Sequence, residues 1–219
     1  MGSHLNILIA DDHSVVRQGA SMILKQAFEN ISVTHADIFS KVLYHLKEQE
    51  FNLVVLDIAI PEGAGEKMVR MIRDIQPDVK ILIFSAYEEE LYALRYLKAG
   101  ADGYLNKLSS EDEFKDAFSA MMSDKEYFSD EIRLKLAEFP KMKSSDNPLD
   151  ALSNRELEIA RLLVNGDGNL EIGNKLKLRN STVSTYKTRI FDKLSVSSVV
   201  GLINVFKVYD FSGFNSLEN

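Results

Sequence analysis

The chain contains no cysteine and no tryptophan, and only four prolines and four histidines in 219 residues. Without thiols it can build neither a disulfide framework nor a zinc-thiolate centre. His4, His13, His35 and His45 are dispersed, with no pair at metal-ligand spacing and none in the second half. No apolar run approaches the roughly 18 residues that a membrane helix requires. Nothing suggests secretion, so the expected compartment is the cytoplasm. Met1-Gly2-Ser3-His4 reads as a cloning remnant outside the fold. A G-x-G-x-x-G or G-x-x-x-x-G-K stretch is also missing after the first apolar run, so a dinucleotide or P-loop site lacks its phosphate cradle.

What is present is a recurring pattern: a short apolar run, then a polar signature, then a helix-like segment. Asp11-Asp12 follow Ile7–Ala10, Asp57 follows Leu53–Leu56, Ser85 follows Lys80–Phe84, and Lys107 follows Gly103–Asn106. Near-continuous Ile, Leu and Val in the first, third and fourth runs suit strands covered on both faces. With a run near 31–35, the alternation predicts five parallel strands near residues 5–10, 31–35, 52–57, 80–85 and 103–106. Between them lie amphipathic helices, such as the stripe Val16, Ala20, Ile23, Leu24, Ala27 and Phe28. In a doubly wound sheet the carboxyl ends of the strands converge in one crevice, so these scattered residues become neighbours. Packed carboxylates repel one another unless a hard divalent cation, most plausibly Mg²⁺, offsets their charge. Three carboxylates, a hydroxyl and an ammonium together read as a magnesium-assisted phosphoryl-transfer site.

At these residues the chain resembles the receiver domain of two-component response regulators over its first 122 or so positions. Asp57-Ile58-Ala59-Ile60-Pro61-Glu62-Gly63-Ala64-Gly65 matches the family's D-x-x-x-P-x-x-x-G stretch, and Ile7–His13 its acidic opening. The resemblance implies a flavodoxin-like sheet of order 2-1-3-4-5, with Asp57 as phosphoacceptor. It implies that Asp12, supported by Asp11, holds Mg²⁺ with Asp57 and the carbonyl of Ala59, and that Ser85 and Lys107 engage the phosphoryl oxygens. Tyr104 resembles the family's aromatic switch residue, whose ring rotates into space vacated by the Ser85 hydroxyl; the plainer alternative is a half-buried tyrosine with its hydroxyl in water. Haloacid-dehalogenase-like phosphatases also place an Asp nucleophile at a strand end, but they require a second Asp two positions on as general acid. Here that position is Ala59, which disfavours a turnover phosphatase. Asp57 could otherwise be a helix N-cap. His13, beside the acidic pair, is read as solvent-facing or capping the following helix, with lining the site as the alternative.

Charge divides the chain in two. Residues 1–150 hold 17 basic and 26 acidic residues, a net of -9, whereas residues 151–219 hold 9 and 7, a net of +2. Between Lys175 and Lys193 six cations stand against Asp192 alone, a concentration that suggests a polyanionic partner. Pro140–Pro148, polar and bracketed by prolines, reads as a linker. Asp124 to Glu138 is either a linker helix or an extension of the receiver's last helix.

The second half opens with Ser153 and Glu156 at capping-box spacing, and the helix so begun stops at Asn165-Gly166. Further helices are expected at 169–177, 181–194 and 197–209. This four-helix unit resembles the LuxR-type helix-turn-helix of the NarL/FixJ regulators over about 55 residues. The matches are Leu152, Ser153, Arg155 and Glu156 at the opening, Gly166, Asn169, Glu171, Ile172 and Leu176 in the middle, and Thr182, Val183, Ile190, Lys193, Leu194 and Val196 beyond. By that resemblance 181–194 is the recognition helix. Val183, Ile190 and Leu194 face inward, and Ser184, Thr185, Lys187, Thr188 and Arg189 are candidates for DNA, unless Arg189 turns inward to pair with Glu156. Ser184, Tyr186, Arg179 and Gly173 stand where Lys, His, Ser and Ala are usual.

The expected whole is a DNA-binding response regulator and not a turnover enzyme. A receiver over 5–122, a linker over 123–148 and an output domain over 149–210 would take a phosphoryl group from a sensor histidine kinase or a small acyl phosphate. Double-stranded DNA, a second copy of the chain and RNA polymerase are the expected partners, and no membrane. The rival of another class is a protein-interaction regulator whose receiver is never phosphorylated.

Overall fold

The computed structural model describes residues 4–87, 89–138 and 148–209. The expected linker residues 139–147, Glu88, and Asp210 at the expected end of the output domain lie outside these. The chain divides into two compact units, Met1–Lys141 and Met142–Asn219.

In the first unit five strands alternate with helices: β1 (Leu5–Ala10), α1 (Ser14–Ala27), β2 (Ile31–Ala36), α2 (Phe39–Glu48), β3 (Leu53–Leu56), α3 (Lys67–Ile75), β4 (Lys80–Ser85), α4 (Glu89–Lys98), β5 (Gly103–Asn106) and α5 (Glu111–Met122). The sheet order is β2-β1-β3-β4-β5, with every pairing parallel. Successive strand side chains point to opposite faces. Ile7, Ile9, Leu53, Val55 and Leu82 join Leu24 of α1 and Phe114, Phe118 and Met121 of α5 in one buried layer. The alternate residues Leu8, Val54, Leu56, Ile81 and Ile83 are equally buried and face the other helical layer. Burying such a side chain contributes roughly 1.5–3 kcal/mol, so four-residue β3, buried at every position, is held by packing on both faces. Along α1 the expected stripe holds at Ala20 and Leu24, whereas Ala27 is exposed and Phe28 lies just past the helix, its ring 4.4 Å from that of Phe118.

Register levels the functional strand ends. Ala10 pairs with Leu56, Leu56 with Ile83, and Ser85 with Asn106, so the residues that follow share one rim. His4, read from sequence as outside the fold, reaches the Ser32 hydroxyl at 2.8 Å. Of the two forms expected for the segment after α5, a separate helix and not an extension of α5 is found. Asp124 takes a left-handed φ of 58° beyond the α5 C-cap, and α6 (Asp130–Glu138) packs against α4.

The second unit opens with a 3-10 turn, Pro148–Ala151, followed by α7 (Asn154–Val164), α8 (Asn169–Leu176), α9 (Asn180–Leu194) and α10 (Val199–Tyr209). The capping box forms: Ser153 Oγ accepts the Glu156 N–H at 3.3 Å and a Glu156 carboxylate oxygen accepts the Ser153 N–H at 2.8 Å. Leu157, Ala160, Ile172, Val183, Ile190, Leu202 and Phe206 make the buried centre.

Candidate phosphoacceptor and nucleic-acid sites

Asp11 and Asp57 are the residues that immediately follow β1 and β3, and the Asp57 N–H donates to the Ala10 carbonyl at 2.8 Å. Their side chains are only 2% and 3% exposed, and both reach one cation: Lys107 Nζ lies 2.6 Å from Asp11 Oδ2 and 2.9 Å from Asp57 Oδ2. The Lys107 N–H in turn donates to the Ser85 carbonyl at 2.8 Å, tying the ends of β4 and β5. Asp57 Oδ1 accepts the Ala59 N–H at 3.1 Å. α3 begins ten residues beyond Asp57, so the aspartate does not cap a helix. Burial pushes the Asp57 carboxyl above its ordinary range, and the Asp11 charge adds to this against the opposing pull of Lys107 and the Ala59 N–H. For Lys107, burial works downward, yet Asp11 and Asp57 outweigh it and the ammonium is held firmly protonated.

Two buried carboxylates share the Lys107 ammonium and Asp12 stands beside them, which makes a cluster rich in hard oxygen donors. Oxygen atoms of Asp11, Asp12 and Asp57 and a ring nitrogen of His13 lie within 4.8 Å of one another, and this set can hold a metal ion. His13 is exposed, as expected, and occupies the N-cap position of α1 without making a side-chain cap. It also lines the site, for its Nδ1 lies 2.6 Å from Asp12 Oδ1 and 3.2 Å from Asp11 Oδ1. Arg17 also serves the site unannounced by sequence, because its guanidinium donates to the Asp11 carbonyl and fixes the loop.

Ser85 is fully buried, and its Oγ accepts the Tyr87 N–H at 3.1 Å. Tyr104 is 2% exposed and its hydroxyl donates to the Tyr87 carbonyl at 3.0 Å, within hydrogen-bonding reach of Ser85. That overturns the half-buried, water-facing alternative. It also alters the switch picture, since the ring already lies inward, where its hydroxyl meets both Ser85 and the Tyr87 backbone that Ser85 holds. Burial pushes the Tyr104 phenol far above its ordinary pKa, so it remains a donor. Tyr87, two residues past Ser85, was missed from sequence because its contribution is a main-chain carbonyl, which also accepts from Asn106 Nδ2 at 3.1 Å.

In the second unit, Val183, Ile190 and Leu194 of α9 are buried while Ser184, Thr185, Thr188 and Arg189 are exposed and Lys187 is half-exposed. Ser184 Oγ accepts from Asn169 Nδ2 at 3.0 Å. The Thr185 and Thr188 hydroxyls donate to carbonyls four residues back, at 3.0 and 3.2 Å, leaving their methyls and oxygen lone pairs outward. Lys187 Nζ stands 5.6 Å above the Phe191 ring. The buried Glu156 carboxylate pairs with Lys193 at 2.6 Å rather than with Arg189, and Lys175 pairs with Asp167. Among the described residues, Lys177, Arg179, Lys187 and Arg189 are the cations of this segment without a carboxylate partner.

Two family models match the chain: the response regulator receiver domain over residues 7–119 and the bacterial regulatory proteins of the luxR family over residues 150–206. The Fimbriae Z protein of Escherichia coli K12 is 32% identical over 205 residues, 94% of this chain and 97% of the relative. Response regulator GacA of Pseudomonas protegens is 34% identical over 198 residues, 90% of this chain and 93% of the relative. The chain is a NarL/FixJ-type response regulator. In fold, this response regulator is similar to RcsB of Salmonella enterica serovar Typhimurium, solved bound to promoter DNA in the presence of the phosphomimetic BeF3⁻, with a TM-score of 0.56 at 22% identity over 93% of this chain and 98% of that one.

Membership makes the departures noted in the second unit of this response regulator informative. Gly173 stands where the family usually has Ala. A Cβ there would lie 2.9 Å from the Leu178 carbonyl oxygen, because Lys177 takes a left-handed φ of 54° and folds the turn tightly back, with the Leu178 N–H donating to the Gly173 carbonyl at 2.8 Å. The crowding atom is backbone and cannot swing away. Gly173→Ala should therefore destabilise the response regulator by roughly 1–3 kcal/mol, the range for overpacking. Urea unfolding checks this; an unchanged or raised midpoint would show that the turn has room to relax.

Proposed function

We propose that Asp57 is the phosphoacceptor and that the response regulator converts phosphorylation into a change in DNA binding. The observation that carries this reading is the pairing of two nearly inaccessible aspartates with one lysine at the carboxyl ends of β1, β3 and β5. An Asp57 oxygen forms a bond to phosphorus as the nitrogen–phosphorus bond of the kinase's phosphohistidine, or the acyl–phosphate bond of a small donor, breaks. No histidine of this chain is needed as donor. Lys107 faces the developing charge, and its fixed position supplies electrostatic preorganisation. Asp11, Asp12, Asp57 and the Ala59 carbonyl would hold Mg²⁺, which neutralises the incoming phosphoryl oxygens when bound.

Ser85 and Tyr104 then report the event. A Ser85 hydroxyl drawn toward a phosphoryl oxygen on Asp57 ceases to accept the Tyr87 N–H, and the Tyr87 carbonyl holds both Tyr104 and Asn106. In the output unit we assign Ser184, Thr185, Lys187, Thr188 and Arg189 of α9 to the major groove and its phosphates. The receiver spans 5–122 and the output domain 149–210 in this reading. The regulator is not a turnover enzyme. It acts in the cytoplasm with a sensor histidine kinase, duplex DNA, a second copy of itself and RNA polymerase as partners.

The test is Ser85→Ala, which should leave acetyl-phosphate labelling of Asp57 intact while cutting the phosphorylation-dependent gain in DNA affinity by about tenfold, within the usual range of coupling energies. Intact-mass measurement reads the label and fluorescence anisotropy reads binding. A full gain in the variant would eliminate Ser85 as the reporter.

A further inference from the structure

We propose that the segment Lys125–Glu138 is a strap clamped across α4 and the free edge of β5, and that phosphorylation releases it. The inference rests on the phosphorylation reading above and deepens it by naming the element through which the signal leaves the receiver.

Three contacts among the described residues carry the clamp. Beyond the left-handed turn at Asp124, Tyr127 adds one residue of parallel pairing to β5: its N–H donates to the Asp102 carbonyl at 3.1 Å and its carbonyl accepts the Tyr104 N–H at 2.8 Å. Gly103 permits this approach, because a Cβ there would lie 3.0 Å from the Tyr127 carbonyl oxygen. Glu89, the first residue of α4, accepts the Ser129 N–H at 2.9 Å through Oε1. Ile132, in the first turn of α6, is fully buried in a helix that packs on α4, and the Ser129 hydroxyl accepts its N–H at 3.3 Å.

Both polar tethers start from the switch. Asp57 lies beside Ser85 along the rim, Ser85 Oγ holds the Tyr87 N–H, and Glu89 follows two residues later with Ser129 on its carboxylate. Tyr104 carries the second line, for its hydroxyl holds the Tyr87 carbonyl while its own N–H holds Tyr127. When the Ser85 hydroxyl turns to a phosphoryl oxygen, Tyr87 loses that anchor, and Glu89 is carried away from Ser129. With one of its tethers gone a nine-residue helix is loosened, since short helices depend on packing for their stability. The clamp is thus a two-state element biased by a local charge.

Glu89→Ala removes the carboxylate tether and nothing at the phosphoacceptor, so the variant should still be labelled at Asp57 by acetyl phosphate with Mg²⁺. Its unphosphorylated form should already bind DNA about tenfold more tightly than the native chain, and labelling should add little further gain. An unphosphorylated variant that binds DNA no better than the native chain and keeps the full phosphorylation-dependent gain overturns the strap. A native chain that takes the label without any change in DNA binding fails the switch reading itself, and the strap with it. Independently, hydrogen exchange on the unaltered chain should show faster exchange across 127–133 once beryllofluoride and Mg²⁺ are added; unchanged protection there, with the Asp57 loop protected, also overturns the proposal.

Discussion

Asp57→Asn should abolish phosphoryl uptake: acetyl phosphate with Mg²⁺ should add one phosphoryl mass to the native chain and none to the variant. The amide keeps the size and the hydrogen-bond acceptor that Ala59 uses, but it is no nucleophile and cannot offer a metal ion a charged oxygen. The same substitution should make the metal-free protein more stable near neutral pH. The sign follows from the direction of the shift. Burial raises the Asp57 pKa in the folded chain above its unfolded value, so the folded state binds the proton more tightly and stability falls as pH rises through that range. Asparagine removes the ionisation and with it the loss. Mg²⁺ should raise the melting temperature of the native chain and much less that of the variant, which separates the charge effect from a packing change. Labelling that persists in Asp57→Asn would move the acceptor elsewhere. No labelling of the native chain by any donor would favour the rival regulator whose receiver is never phosphorylated.

Lys187→Ala should weaken binding to operator and random duplex alike and flatten the salt dependence. Each phosphate neutralised contributes about 0.9 to the slope of log affinity against log salt, so losing one contact should lower the slope by about that amount. Lys187 is half-exposed on α9, stacked over Phe191, and far better placed for a phosphate than Lys193, whose ammonium is committed to Glu156. Substitution of Ser184 or Thr188 should instead erode discrimination between sequences, if the side chains meet base edges. Ser184 is pre-positioned by Asn169, and Asn169→Ala should reproduce part of the same loss. Titrations of the full chain at several salt concentrations decide the matter. A slope unchanged in Lys187→Ala would take the lysine out of the interface.

Much of this protein is determined by local patterns that one strand or helix imposes on its own residues. Apolar runs of four to six residues ending in Asp, Ser or Lys mark strands whose carboxyl ends carry the chemistry, because a parallel sheet buries both faces and leaves its polar groups at one rim. The capping box of Ser153 and Glu156 and the inward row Val183, Ile190 and Leu194 were equally legible, since three- and four-residue spacings on a helix are fixed by its pitch. What sequence could not decide depends on contacts between elements distant in the chain. Glu156 lies 37 residues from Lys193, and only the crossing of α7 and α9 selects that lysine over Arg189. Tyr104 faces inward because β5 sets it beside the Tyr87 carbonyl, an acceptor every residue possesses and none advertises. The docking of Tyr127 and α6 was invisible for the same reason: main-chain pairing has no side-chain signature, and the pattern from Asp124 to Glu138 fits a free helix as well as a clamped one. Local propensity placed the elements, and the tertiary structure alone chose their partners.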